Sequence, residues 1–143
     1  MTQVEALKAI AARDGGLLRP AAVVEAARPK DSPLHGAFCW DDTEAARRYR
    51  LDHAQRLIRS FRIIVENDGE EIEVPQFVGV SVDRTEGRSE NPYRLVDNVM
   101  KNADLLAVAE NDALAQLRGL RDRYNHLKRL GDIWDAIDKH GRH

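Results

Sequence analysis

Phe61-Arg62-Ile63-Ile64-Val65-Glu66-Asn67-Asp68-Gly69-Glu70-Glu71-Ile72-Glu73-Val74 sets two β-branched runs on either side of one Asp-Gly pair. Asp-Gly tolerates positive φ at both central positions of a two-residue turn, the geometry whose twist matches that of paired strands. The stretch therefore predicts an antiparallel β-hairpin. Pro75 has no N–H to give and interrupts the returning strand, so Phe77-Val78-Gly79-Val80-Ser81-Val82 is either its continuation or a third strand. Upstream the period is helical. Val4, Leu7, Ile10 and Ala11 mark a helix from Thr2 to about Arg13, stopped by Gly15-Gly16. A second short helix opens at Arg19-Pro20, carries Val23, Val24 and Ala27, and closes before Pro29 and Lys30-Asp31-Ser32-Pro33. Phe38-Cys39-Trp40 forms an apolar knot, and Asp41-Asp42-Thr43-Glu44 then caps a third, longer helix from about Asp42 to Ser60.

Downstream of the hairpin, Asp83 to Glu90 is polar and reads as a loop, and Asn91-Pro92 caps a short helix to about Met100. From Asn102 to about Lys139, Leu106, Ala113, Leu120, Leu127 and Trp134 recur at seven-residue steps, with Leu117, Tyr124, Leu130 and Ile137 between them. One long helix is expected there, with an antiparallel pair broken near Gly119 as the alternative; Gly119 and Gly131 are the weak points, since each costs up to about 1 kcal/mol inside a helix. The expected fold class is α+β and mainly helical: N-terminal helices, a small antiparallel hairpin or sheet in winged-helix-like order, then a long C-terminal helix. A single domain spans 1–143, divided into a helical module with its hairpin over 1–83 and a C-terminal helical region over 91–140.

The 143 residues are 43% hydrophobic and 32% charged, enough to build one core without staples. Cys39 is the single cysteine, which excludes a disulfide-rich secreted scaffold. Met1-Thr2-Gln3-Val4-Glu5 lacks the basic start and apolar run of a signal peptide, and no apolar stretch approaches the roughly 18–20 residues that cross a bilayer. A cytoplasmic protein without a membrane partner is expected.

Net charge is −2, but it is unevenly spread. Arg47 to Arg62 holds six arginines against Asp52, Ile63 to Pro92 holds eight acids against two arginines, and Arg118 to Leu130 holds five bases against Asp122. At about 100° per residue, Ala46, Tyr49, His53, Leu57 and Phe61 share one arc of the third helix, with Leu51, Ala54 and Ile58 beside it. Arg48, Gln55, Arg59 and Arg62 lie opposite, where they would reach phosphates or base edges if this helix entered a major groove. Arginine's planar fork suits bidentate recognition of phosphate or guanine. Arg50 projects inside the apolar arc and requires a carboxylate, Asp41 or Asp42 being nearest.

Catalytic signals are weak. Asp52 and His53 point about 100° apart on a helix, Cys39 has only His35 as a local base, and Asp132, Asp135, Asp138 and His140 form an ordinary solvent face rather than a metal site. Gly-rich phosphate loops, paired cysteines, HExxH and GxSxG are all missing. The expectation is a non-enzyme with no cofactor and no metal.

Leu18-Arg19-Pro20-Ala21-Ala22-Val23-Val24-Glu25-Ala26-Ala27-Arg28, Ser32-Pro33-Leu34-His35, Trp40-Asp41-Asp42, Tyr49-Arg50-Leu51 and Leu57-Ile58-Arg59-Ser60 together resemble uncharacterised proteins of temperate bacteriophages and prophages. Arg123-Tyr124-Asn125-His126-Leu127 and Ile133 to Asp138 are similar to that family's tail. The resemblance implies phage or prophage origin and residence in a bacterial host's cytoplasm, and no chemistry.

Three helices followed by a hairpin is the element order of a winged helix-turn-helix, with the hairpin as wing. The leading expectation is a DNA-associated regulatory or architectural protein contacting DNA through Arg48, Gln55, Arg59 and Arg62. Its wing, with Glu66, Asp68, Glu70, Glu71 and Glu73, is acidic and must point away from DNA or toward another protein. The alternative is a non-enzymatic interaction or virion-assembly protein, binding a phage or host partner through that hairpin and the long helix. The stripe Leu106, Ala113, Leu117, Leu120, Tyr124, Leu127, Trp134 and Ile137 is expected to be covered in part by the chain itself and in part by a second copy. A straight helix from Asn102 to Lys139 would extend about 57 Å and so project beyond a small domain.

Overall fold

Thr2 starts the first element by a reciprocal cap: its hydroxyl accepts the Glu5 N–H, and the Glu5 carboxylate accepts the Thr2 N–H. In the computed structural model, which describes residues 1–41, 43–85 and 90–140, this gives α1 (Gln3–Arg13). Gly15 and Gly16, at φ +60 and +94, turn the chain after it. A two-residue strand, β1 (Leu17–Leu18), leads into α2 (Pro20–Ala27), where Pro20 occupies the first turn. The linker contains a 3₁₀ turn at His35–Ala37, and Thr43 then caps α3 (Glu44–Ser60) by accepting the Ala46 N–H.

The hairpin forms as its sequence predicts. β2 (Arg62–Asn67) pairs antiparallel with β3 (Glu70–Pro75), and Asp68 and Gly69 both take positive φ, +53 and +81. The register sets Ile63 opposite Val74 and Val65 opposite Ile72 on one face, with Ile64 opposite Glu73 and Glu66 opposite Glu71 on the other. After Pro75 the chain joins a different sheet. β4 (Phe77–Val78) pairs with β5 (Tyr93–Leu95), and β5 pairs with β1, all antiparallel in the order β1-β5-β4. Asn91-Pro92 thus leads into a strand, and the helix expected there begins only at α4 (Val96–Lys101).

Leu7 and Ile10 of α1, Leu18 of β1, Val23, Val24 and Ala27 of α2, Ala54 and Ile58 of α3, Leu34, Phe77 and Tyr93 meet in one core. Below the sheet, Asp83 and Arg94 form a two-pronged ion pair at 2.5 and 2.8 Å, with side chains only 7% and 21% exposed. It joins a 3₁₀ turn (Ser81–Asp83) to β5.

The single helix expected from Asn102 to Lys139 is two. Asn102 caps α5 (Ala103–Tyr124) by accepting the Leu105 N–H, and α5 ends at Tyr124. Leu127 leaves helical geometry at φ −84, ψ 88, a 3₁₀ turn covers Lys128–Leu130, and α6 (Gly131–His140) packs back on α5. Gly119 stays helical inside α5, and the break comes only after Tyr124, at Asn125–Leu127. The reason is the fold-back itself: it buries Trp134 and Ile137 and pairs Arg121 with Asp138. α5 alone spans about 33 Å at 1.5 Å per residue.

Candidate nucleic-acid interface

α3 buries a seam of Arg50, Ala54 and Ile58, each four residues apart. Arg50 is 3% exposed, and its Nη1 donates to the backbone carbonyls of Cys39 at 2.9 Å and Asp41 at 2.7 Å. Its guanidinium also sits 5.3 Å from the Trp40 ring centre. Trp40 in turn stacks on His35 at 5.1 Å and donates its indole N–H to the His35 carbonyl, while His35 Nδ1 lies 2.9 Å from the Ala27 carbonyl. The knot before α3 is therefore a clamp that fixes how α3 leaves α2. The carboxylate partnership expected for Arg50 is replaced, at Asp41, by the main-chain carbonyl; Asp42 lies outside the described residues.

This seam turns α3 relative to the arc read from sequence. Tyr49, assigned there to the core, is 50% exposed, and the Arg56 guanidinium lies 5.6 Å from its ring centre. The outer face carries Arg48, Tyr49, Asp52, Arg56 and Arg59 at three- and four-residue spacing, all exposed. Arg48 and Asp52 flank shallow depressions, one with Glu44, Ala45 and Tyr49, another with Leu51, Gln55 and Glu90. Gln55 is half-buried. Arg59 donates Nε–H to the Tyr93 hydroxyl at 2.9 Å, which ties the end of α3 to β5. Arg62 lies past the helix, on β2, and donates to the Glu73 carboxylate and carbonyl. The structure thus groups Arg48, Gln55 and Arg59 along one helix and sets Arg62 apart on the hairpin. Arg56 was missed because it neighbours Tyr49; the four-residue spacing Arg50-Ala54-Ile58 was the signal that would have found it.

The stripe of the C-terminal region also divides. Trp134 and Ile137 are buried, Leu106 is half-buried, and Ala113, Leu117, Leu120, Tyr124 and Leu127 are exposed. The hairpin acids Glu66, Asp68, Glu70, Glu71 and Glu73 are exposed as well.

His53 packs between Phe38 and Tyr49, at 5.4 and 5.7 Å between ring centres, and its buried Nδ1 has no hydrogen-bond partner among the described residues. Cys39 is exposed and unpaired, beside a His35 whose ring is occupied by Trp40 and Ala27. Among the described residues no three His, Cys, Asp or Glu side chains converge as a metal site would require, and no helix is long and apolar enough to cross a membrane. Among the described residues two groups, Arg94 and Asp112, are shifted in their protonation. Hydrogen bonding to Asp83 raises the Arg94 guanidinium, and hydrogen bonding from Ser81 lowers the Asp112 carboxyl. No family model, curated protein or solved structure matches the chain.

Proposed function

We propose that the chain is a DNA-associated regulatory or architectural protein of phage or prophage origin, working without catalysis in the cytoplasm of a bacterial host, with α3 as the element that enters a major groove. The observation that carries this reading is the outer face of α3. Arg48, Arg56 and Arg59 surround Tyr49 and Asp52 on an exposed helix that follows a shorter helix and precedes a hairpin. Arginine forks reach phosphate oxygens and guanine edges, and the exposed tyrosine adds an apolar surface for the sugar or a thymine methyl. The acidic hairpin has no place against phosphates, so on this reading only α3 approaches the duplex. The phage attribution rests on the residue pattern given above.

Fluorescence anisotropy with a mixed-sequence duplex at 50 and 200 mM salt tests the reading. Binding is expected at the lower salt and should weaken at least tenfold at the higher, because each phosphate contact releases counterions. Arg48→Ala and Arg56→Ala should each weaken it further, and absence of binding at 50 mM would overturn the reading. The second reading, an interaction or assembly protein, is favoured by the acidic hairpin and the uncovered part of the α5 stripe.

A further inference from the structure

Among the described residues, the groove between α2 and α3 gathers more cations than acids. Arg28, at the end of α2, and Arg47 and Arg50, three residues apart on α3, line a depression of about 380 Å³ together with the apolar Ala21, Val24 and Leu51. Glu25 is the one acid lining it, and its carboxylate accepts the Arg28 Nε–H at 2.9 Å. Arg47 is exposed, and neither it nor Arg50 enters an ion pair among the described residues.

Two of these cations share one aromatic support. The guanidinium of Arg28 lies 5.6 Å and that of Arg50 5.3 Å from the Trp40 ring centre. Arg50 is fixed further by the carbonyls of Cys39 and Asp41, both on Nη1, while its buried Nε–H has no hydrogen-bond partner among the described residues. Burial strengthens its field, because little water screens it. The groove therefore offers one fixed cation that the chain already holds in place, and one movable fork, Arg47, on the same side of the helix with its Cβ about 5–6 Å away.

A planar arginine fork meets phosphate oxygens through two parallel N–H donors. Two cations without a carboxylate match a dianion, and a phosphate monoester is close to doubly charged at neutral pH. We propose that the groove binds a phosphate monoester, its phosphate held by Arg47 and Arg50 and its organic part resting on Ala21, Val24 and Leu51. A monocarboxylate, or a phosphodiester of a nucleic-acid backbone, carries one charge and would leave the other cation uncompensated. Arg48, next in sequence, points about 100° away onto the outer face of α3. The groove thus lies beside the face proposed to meet DNA and goes beyond that reading.

Titration of the ¹⁵N-labelled full chain with phenyl phosphate at constant ionic strength tests the proposal, followed by the Nε–H resonances of Arg47 and Arg50 and the indole N–H of Trp40. Saturable shifts are expected below 10 mM. Inorganic phosphate, without an apolar part, should bind more weakly, and diphenyl phosphate, a singly charged diester, at least tenfold more weakly than phenyl phosphate. Arg47→Gln should keep the circular dichroism and weaken phenyl phosphate at least tenfold, Arg47→Lys should fall between it and the natural chain, and Arg48→Gln should change nothing. Shifts that do not saturate, equal affinity for the diester, or an Arg47→Gln chain that binds like the natural one would each overturn the proposal. Displacement of a bound duplex by phenyl phosphate at fixed ionic strength would assign the groove to a backbone phosphate and overturn it too. A chain that binds no duplex but shows the saturable shifts sinks the DNA reading alone, so the two fail separately.

Discussion

Arg50 occupies the centre of the α3 seam, where among the described residues its guanidinium meets two main-chain carbonyls and an aromatic face. Removing it leaves both carbonyls without their donor and loosens the clamp on Trp40. Arg50→Met, which keeps the apolar stem, is expected to lower unfolding free energy by about 2–4 kcal/mol, measured by urea denaturation. A loss below about 1 kcal/mol would mean that water replaces the guanidinium at little cost. The sequence shows that this arginine faces inward, because its position falls on the apolar side of any wheel drawn through Ala54 and Ile58. It cannot show the partner, since every residue offers a carbonyl and only the path of the chain decides which two converge. Tyr49 was misplaced for a related reason: an aromatic ring counts as apolar in a wheel, whereas here its face is covered by Arg56 from the same helix.

Glycine shows how far individual elements could be read. Gly69 takes a φ of +81 in the hairpin turn, and Gly119 sits in helical geometry with no atom within 4 Å of an added Cβ. The same substitution should therefore act in opposite directions. Gly69→Ala is expected to destabilise by about 1 kcal/mol or more, and Gly119→Ala to stabilise by about 0.5–1 kcal/mol, both read from the shift in thermal midpoint. The hairpin and the cap at Thr43 were legible because each rests on two or three adjacent residues with one preferred geometry. β1 and β5 were not, because strands of two and three residues contain no period to detect. The end of α5 was hidden for a third reason: Asn125-His126-Leu127 contains neither Gly nor Pro, and only the burial of Trp134 and Ile137 against α5 makes the chain turn there.

At the scale of the whole molecule, α5 meets the rest of the chain at α4 and at the 3₁₀ turn Ser81–Asp83. Asp112 on α5 accepts the Ser81 N–H at 2.8 Å, and hydrogen bonding from Ser81 holds its carboxyl below the ordinary carboxylate value. A folded value below the unfolded one means that the stabilisation is complete above about pH 4 and is lost as pH falls through the folded value. Unfolding free energy should therefore decline on acidification below pH 4 with a steeper slope in the natural chain than in Asp112→Asn, measured by denaturant titration from pH 2 to 7. Equal slopes would show that the carboxylate contributes nothing to docking α5. The sheet carries a different consequence. Its central strand, β5, joins β1 to β4, and Tyr93 from that strand completes the core built by the first three helices. Because β1 pairs with a strand some seventy-five residues later, a chain growing from its N-terminus holds the residues of its first three helices well before it holds the strand that closes their sheet and the Tyr93 ring that completes their core.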